Sequence, residues 1–237
     1  MSVAAVRQAA VEVVDLEATP LRDLNQRLHD FARTAGPAQW RILNPNGAHA
    51  VACGIDAEVD VEIEGHVGYY CAGMNKRATV RVHGNASTGV AENVMSGLVV
   101  VEGNASQSAG ATGRGGLLVI RGDASARCGI SMKGVDIVVG GSVGHMSAFM
   151  AQTGRMVVCG DAGEALGDSI YEARVYVRGN VASLGADCIE KELREKHIAE
   201  LTALLEQAEI AADPGDFRRY GSTRHLYNFH VDHAGSY

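Results

Sequence analysis

Aromatic residues are scarce in this chain, at 5% of its residues. A core built around large rings is therefore excluded. Basic residues are also short: the net charge is −7, and no basic run is interleaved with aromatics. That balance argues against a dedicated nucleic-acid binder, which carries a basic face. No run of 18 apolar residues occurs, so no membrane-spanning helix is expected. The opening residues MSVAAVRQAAVEVVDLE hold acids and lack a long apolar centre, unlike a secretory signal. A soluble, cytoplasmic protein is expected. The five cysteines (Cys53, Cys71, Cys128, Cys159 and Cys188) form no C-x-x-C pair and are odd in number. Neither a disulfide framework nor a cysteine-held cluster is expected from them.

What the chain has in quantity is glycine, 29 residues, within a composition that is 46% hydrophobic. Seven glycines are evenly spaced. Gly65, Gly84, Gly103, Gly122, Gly141, Gly160 and Gly179 each lie 19 residues from the next. The words before them match as well, for example VVEG at Val100–Gly103 and YVRG at Tyr176–Gly179. A fixed period of this size is the mark of a solenoid.

Aligned on the glycines, the repeats form columns. Two residues before each glycine stand Ile63, Val82, Val101, Ile120, Val139, Val158 and Val177. Four before stand Val61, Val80, Val99, Leu118, Ile137, Met156 and Val175. Alternate residues of a strand share a face, so both columns are expected to point inward. One after the glycine, His66, Asn85, Asn104, Asp123, Ser142, Asp161 and Asn180 form a polar corner. Seven after, only alanine or glycine occurs, from Ala72 to Ala186. Something packs too closely there for a larger side chain. Cys71 and Cys128 share one column three rungs apart. At about 4.8 Å per rung that is roughly 14 Å, too far for a disulfide, and they read as small core hydrophobes.

The column three before the glycine should face outward. Its ends are Glu62, Arg81 and Tyr176, but its middle is Val100, Val119, Val138 and Val157. An apolar stripe on the outside of a sheet needs a cover. Two covers are open: the chain's own C-terminal helix, or a partner protein.

The expected architecture is all-β: a right-handed parallel β-helix of about seven 19-residue rungs, with a helix at each end and a tail. Residues 1–45 hold a strand and a helix. Thr19-Pro20 marks the helix start, with Thr19 as the capping hydroxyl, and Leu21, Leu24, Leu28 and Phe31 supply helical periodicity. Residues 46–188 are the β-helix. Residues 189–212 read as one amphipathic helix that also hides the open end of the stack. Residues 213–237 form a docking tail holding Phe217, Tyr220, Tyr227, Phe229 and Tyr237. Tails this rich in aromatics are ordered against something. Val100, Val119, Val138, Val157, Tyr220, Tyr227, Phe229 and Tyr237 are therefore the candidate interface.

Catalytic signatures are weak. The cluster Gly110-Ala-Thr-Gly113-Arg-Gly115-Gly116 precedes a strand, whereas a dinucleotide fingerprint opens a helix. His225, His230 and His233 match no zinc-protease spacing. His66 and His145 sit near corners of different rungs. Asp161, Glu164, Asp168 and Asp187 are the carboxylates that an acid–base pair would draw on, but corner solvation explains them. No catalytic, cofactor-binding or metal residue is assigned, and the seven repeat glycines are read as structural.

The 19-residue glycine period and the words Val82–Ala86 and Val101–Ala105 resemble the G-x-G-x-G domain of the glutamate synthase large subunit. The resemblance implies a non-catalytic right-handed β-helix that braces an amidotransferase against an FMN-containing synthase domain. The free-standing length, the helix after the last rung and the ending YNFHVDHAGSY look like the β-helix subunit of N-methylglutamate synthases. Class II amidotransferase-like and FMN-binding subunits would then be the partners in a hetero-oligomer, with FMN and iron–sulfur groups held by them and none in this chain. Such a complex makes N-methyl-L-glutamate from methylamine and glutamate and releases ammonia. Lining a passage for the small amine is a further role that the resemblance leaves open. Two alternatives remain: the related C subunit of formylmethanofuran dehydrogenase or formyltransferase/hydrolase complexes, and an independent β-helix enzyme.

Overall fold

The computed structural model describes residues 11–31 and 38–223. Its centre is one sheet of 11 strands built as a parallel solenoid. The rungs are β1 (Val11–Asp15), β2 (Gln39–Leu43), β3 (Asp60–Glu64), β4 (Thr79–Val82), β5 (Leu98–Val101), β6 (Leu117–Ile120), β7 (Lys133–Val139), β8 (Thr153–Val158) and β9 (Arg174–Val177). Each pairs in parallel with the next, and from β3 to β9 the register advances by the glycine period, Val80 beside Val99 beside Leu118. A second line of bridges runs Val67, Ala86, Ala105, Ala124, Val143, Ala162 and Val181.

Both expected interior columns are buried. Val61, Ile63, Val99, Val101, Ile137 and Val139 are all at or below 1% exposure within a continuous core. Small aliphatic side chains fill that core because a 19-residue rung encloses little width, and like stacks on like at the rung spacing.

Three boundaries differ from expectation. The stack does not begin at residue 46: β1 and β2 are already rungs of the same sheet. Helix α1 (Leu21–Asp30) is carried between them and buries Leu24 and Leu28. Thr19 does not cap it. Pro20 takes the capping place, because its carbonyl accepts the first helical bonds from Asp23 and Leu24, and no side chain contributes.

The C-terminal helix is shorter than the pattern suggests. Cys188–Lys191 is a strand, β10, and the helix α2 covers Glu195–Gln207. Nor does α2 hide the end of the stack. A strand after it, β11 (Arg218–Ser222), inserts antiparallel between β9 and β10. It satisfies the open edge of β9 with backbone bonds, which a helix cannot do.

The turns carry the second regularity. In the rung after β3, Tyr70, Ala72 and Met74 all have left-handed backbone, with φ of 59°, 52° and 56°. Ser108, Gly110 and Thr112 repeat the pattern. This alternation sends successive N–H groups to opposite neighbours: Tyr70 donates forward to Thr88, Ala72 back to Val51, and Met74 forward to Glu92. The all-small column, buried at Ala72, Ala91 and Ala148, is the middle left-handed position from Ala72 to Gly167; in the last rung Ala186 is exposed and lacks the left-handed backbone.

Candidate functional site

The outer stripe lies beneath α2. Val100, Val119, Val138 and Val157 are between 0% and 2% exposed and pack with Leu201, Leu204, Leu205 and Ala208. These four valines are therefore not a partner interface: the chain's own helix covers them. Tyr220 is also internal, 2% exposed on β11 and packed on the main core. Tyr227, Phe229 and Tyr237, together with His225, His230 and His233, lie outside the described residues.

Polar bonds hold α2 near its middle and at its C-terminal end. Arg174 reaches both oxygens of Glu200 at 2.6 Å, and the Tyr176 hydroxyl donates to Glu200 at 3.2 Å. Burial, then the Glu200 charge, pushes the Tyr176 phenol up to about 12. At the C-terminal end Arg121 donates to the Ala208 and Glu209 carbonyls and meets the Glu209 carboxylate at 3.1 Å. Arg121 also joins a chain of ion pairs across the rungs, running Glu62, Arg81, Glu102 and Arg121, with the His83 ring against Glu62 at its far end.

The polar corner is a hydrogen-bonded ladder. Each side chain accepts the backbone N–H one rung on: His66 from Asn85, Asn85 from Asn104, Asn104 from Asp123, Asp123 from Ser142, Ser142 from Asp161 and Asp161 from Asn180, at 2.7–3.0 Å. The repeat glycines pass behind this ladder. Gly103 N–H donates to Gly84 O at 3.0 Å, and a β-carbon on Gly103 would collide with Asn85 Oδ1 and lie 2.8 Å from Gly84 O. Only a hydrogen fits there.

Two of the four candidate carboxylates have similar work. Asp161 belongs to the ladder, and Asp168 accepts from Ala186 N–H and Ser169 Oγ. Among the described residues no group of three or more His, Cys, Asp or Glu side chains is placed to hold a metal ion. Cys71 and Cys128 are fully buried, and burial drives both thiols up to about 12. No described helix is long and apolar enough to cross a membrane.

One exposed apolar corner stands out near the first repeats. The His49 and Tyr69 rings stack at 4.5 Å, and Tyr70 meets Tyr69 edge-on at 6.5 Å. His49 Nδ1 accepts the Tyr69 N–H at 2.9 Å, which fixes the ring. Tyr69 and Tyr70 are each 48% exposed and Met74 52%. Column matching gives little signal for this corner: Tyr69 and Tyr70 are each the one tyrosine in their columns, and Met74 recurs as methionine only at Met150, four rungs on.

Against known proteins, protein GlxC of Rhizobium meliloti (strain 1021) is 64% identical over 226 residues, covering 95% of this chain and 99% of that protein. The chain belongs to the GlxC family. Identity this high along almost the whole length extends over the rungs, α2 and β11 together, so the family shares the solenoid with its covering helix. No protein-family model matches the chain.

Proposed function

We propose that this GlxC-family chain is a non-catalytic structural subunit of a glutamate-synthase-like complex. At its finest the reading is N-methyl-L-glutamate synthase, with the chain bracing a class II amidotransferase-like subunit against an FMN-binding one in the cytoplasm. FMN and any iron–sulfur groups belong to those partners.

The observation that carries the reading is the self-containment of the rod. Interior columns, outer stripe and corner ladder all spend their bonding capacity on neighbouring rungs or on α2. Left-handed backbone at non-glycine residues costs on the order of 1–3 kcal/mol each and persists only where surrounding bonds over-determine it. A body built this way is stiff, which suits a brace. The 19-residue glycine period carries the resemblance to the glutamate synthase domain, and the exposed His49–Tyr69–Tyr70 corner offers rigid aromatic surface to a partner.

Purification of the native complex through a tag on this chain tests the reading. Co-purifying amidotransferase-like and flavin-bearing subunits, and formation of N-methyl-L-glutamate by the complex but not by the chain alone, are expected. Formyltransferase-type partners, or activity of the isolated chain, would overturn it.

A further inference from the structure

At the C-terminal end of the stack, β9, β10, β11 and the first turn of α2 enclose an open cleft of about 320 Å³. Each contributes a cation: Arg174 from β9, Lys191 from β10, Arg219 from β11 and Lys196 from α2. Small-molecule sites start at about this volume. In a chain of net charge −7, such a concentration of positive charge needs a reason.

The pairing of these groups is uneven. Arg174 is neutralised by Glu200. Lys191, Lys196 and Arg219 form no ion pair among the described residues, and Arg219 has only a backbone partner, Glu192 O at 2.9 Å. One carboxylate, Glu172, lines the cleft. Three unpaired cations less one carboxylate leave two positive charges. His197 adds none: its Nδ1 accepts the Arg194 N–H at 3.1 Å, and burial, then Arg219 and Lys196, hold its pKa below the usual histidine range. Burial likewise lowers the Arg219 pKa, with Arg174 and Arg194 adding to the effect and Tyr176 and Glu200 opposing it. Like charges that line one cleft repel one another, and a bound anion relieves them.

We propose that this cleft binds a small dianion, a phosphate or a dicarboxylate, held by Lys191, Lys196 and Arg219. The arginine presents a planar donor fork and the two lysines act as point charges.

Isothermal titration of the full chain at low ionic strength tests this with sodium phosphate, sodium succinate and, as a monoanion, sodium acetate. Saturable binding of either dianion is expected, with a dissociation constant of about 1 mM or below, and acetate at least ~10-fold weaker. Phosphate alone binding would specify a tetrahedral oxyanion, and succinate alone a paired carboxylate; either supports the site. The Lys191→Gln/Lys196→Gln variant should bind ~10-fold more weakly or not at all, while Lys76→Gln, just before β4 and five strands along the sheet from β9, should bind as the parent does. Should the double variant fail to fold, Lys196→Gln alone, at an exposed position, carries the test. No saturable binding of either dianion, acetate as tight as succinate, or undiminished binding by the folded lysine variant would each overturn the site.

Discussion

Arg121 on the sheet face donates to the carbonyl of Ala208, the residue that ends α2. One guanidinium thus fixes the C-terminus of a helix to the rungs it covers. It also offers charge to the carbonyl end of the helix dipole, where a cation is favourable. Arg121→Gln should lower stability by about 1.5–3 kcal/mol, the range for hydrogen bonds to a charged group. Urea unfolding checks the figure. Hydrogen exchange should show faster opening in α2 than in β5. An unchanged midpoint would mean that apolar packing alone docks the helix.

That packing has its own test. Val138 is fully buried between the rungs and the leucines of α2. Val138→Asp places a carboxylate in that seam without a cation assigned to it, and should cost at least ~3 kcal/mol or prevent folding. Leu204→Ala, a milder change in the same seam, should cost about 2–5 kcal/mol. Glu62→Ala, in a half-exposed ion pair, should stay within about 1 kcal/mol. Equal effects from Leu204→Ala and Glu62→Ala would sink the view that the stripe is a core.

Much of this was legible because a solenoid writes each structural role once per period. The inward columns, the corner and the stripe all appear as columns. What the period does not cover stayed hidden. Ile189–Lys191 reads as helix because IEKELREKH continues a helical pattern, yet those residues pair with β11, a strand that comes only after α2. The alternating left-handed turns give little signal, since Tyr70, Met74 and Ser108 are not residues that favour such backbone. The basic cleft draws its cations from separate elements, brought together by the insertion of β11 beside β9.

The buried thiols predict alkaline behaviour. Cys71 and Cys128 rise from 9.0 to about 12 in the folded state, through burial first. Both stay neutral in the fold at pH 10, whereas in the unfolded chain they ionise. Above pH 9 the unfolded state therefore holds fewer protons, and stability falls as pH rises from 9 towards 12. Cys71→Ala should flatten that decline. Below pH 9 the decline from these groups should vanish. In the native protein at pH 8, a thiol reagent should modify Cys53, the one cysteine that is not buried, well before the other four. Fast labelling of Cys71 would contradict a closed core.

The last prediction concerns the glycines and their ladder. Gly122 has ordinary backbone, so the usual case for glycine, a left-handed turn, does not apply to it. Its constraint is space: a β-carbon there would collide with Asn104 Oδ1 and sit 2.9 Å from Gly103 O. Asn104 Oδ1 in turn accepts the Asp123 N–H at 2.8 Å. Gly122→Ala should then cost about 1–3 kcal/mol through overpacking, and Asn104→Ala about 0.5–1.5 kcal/mol through the lost bond. The double variant removes the atom that the new methyl strikes, so its cost should fall short of the sum by at least ~0.5 kcal/mol. Gly47→Ala is the control: its φ is 74° and nothing lies within 4 Å, so only the backbone penalty applies. Strict additivity of Gly122→Ala and Asn104→Ala in denaturant melts would show that the glycine is required by the neighbouring rung's backbone alone, and not by the ladder.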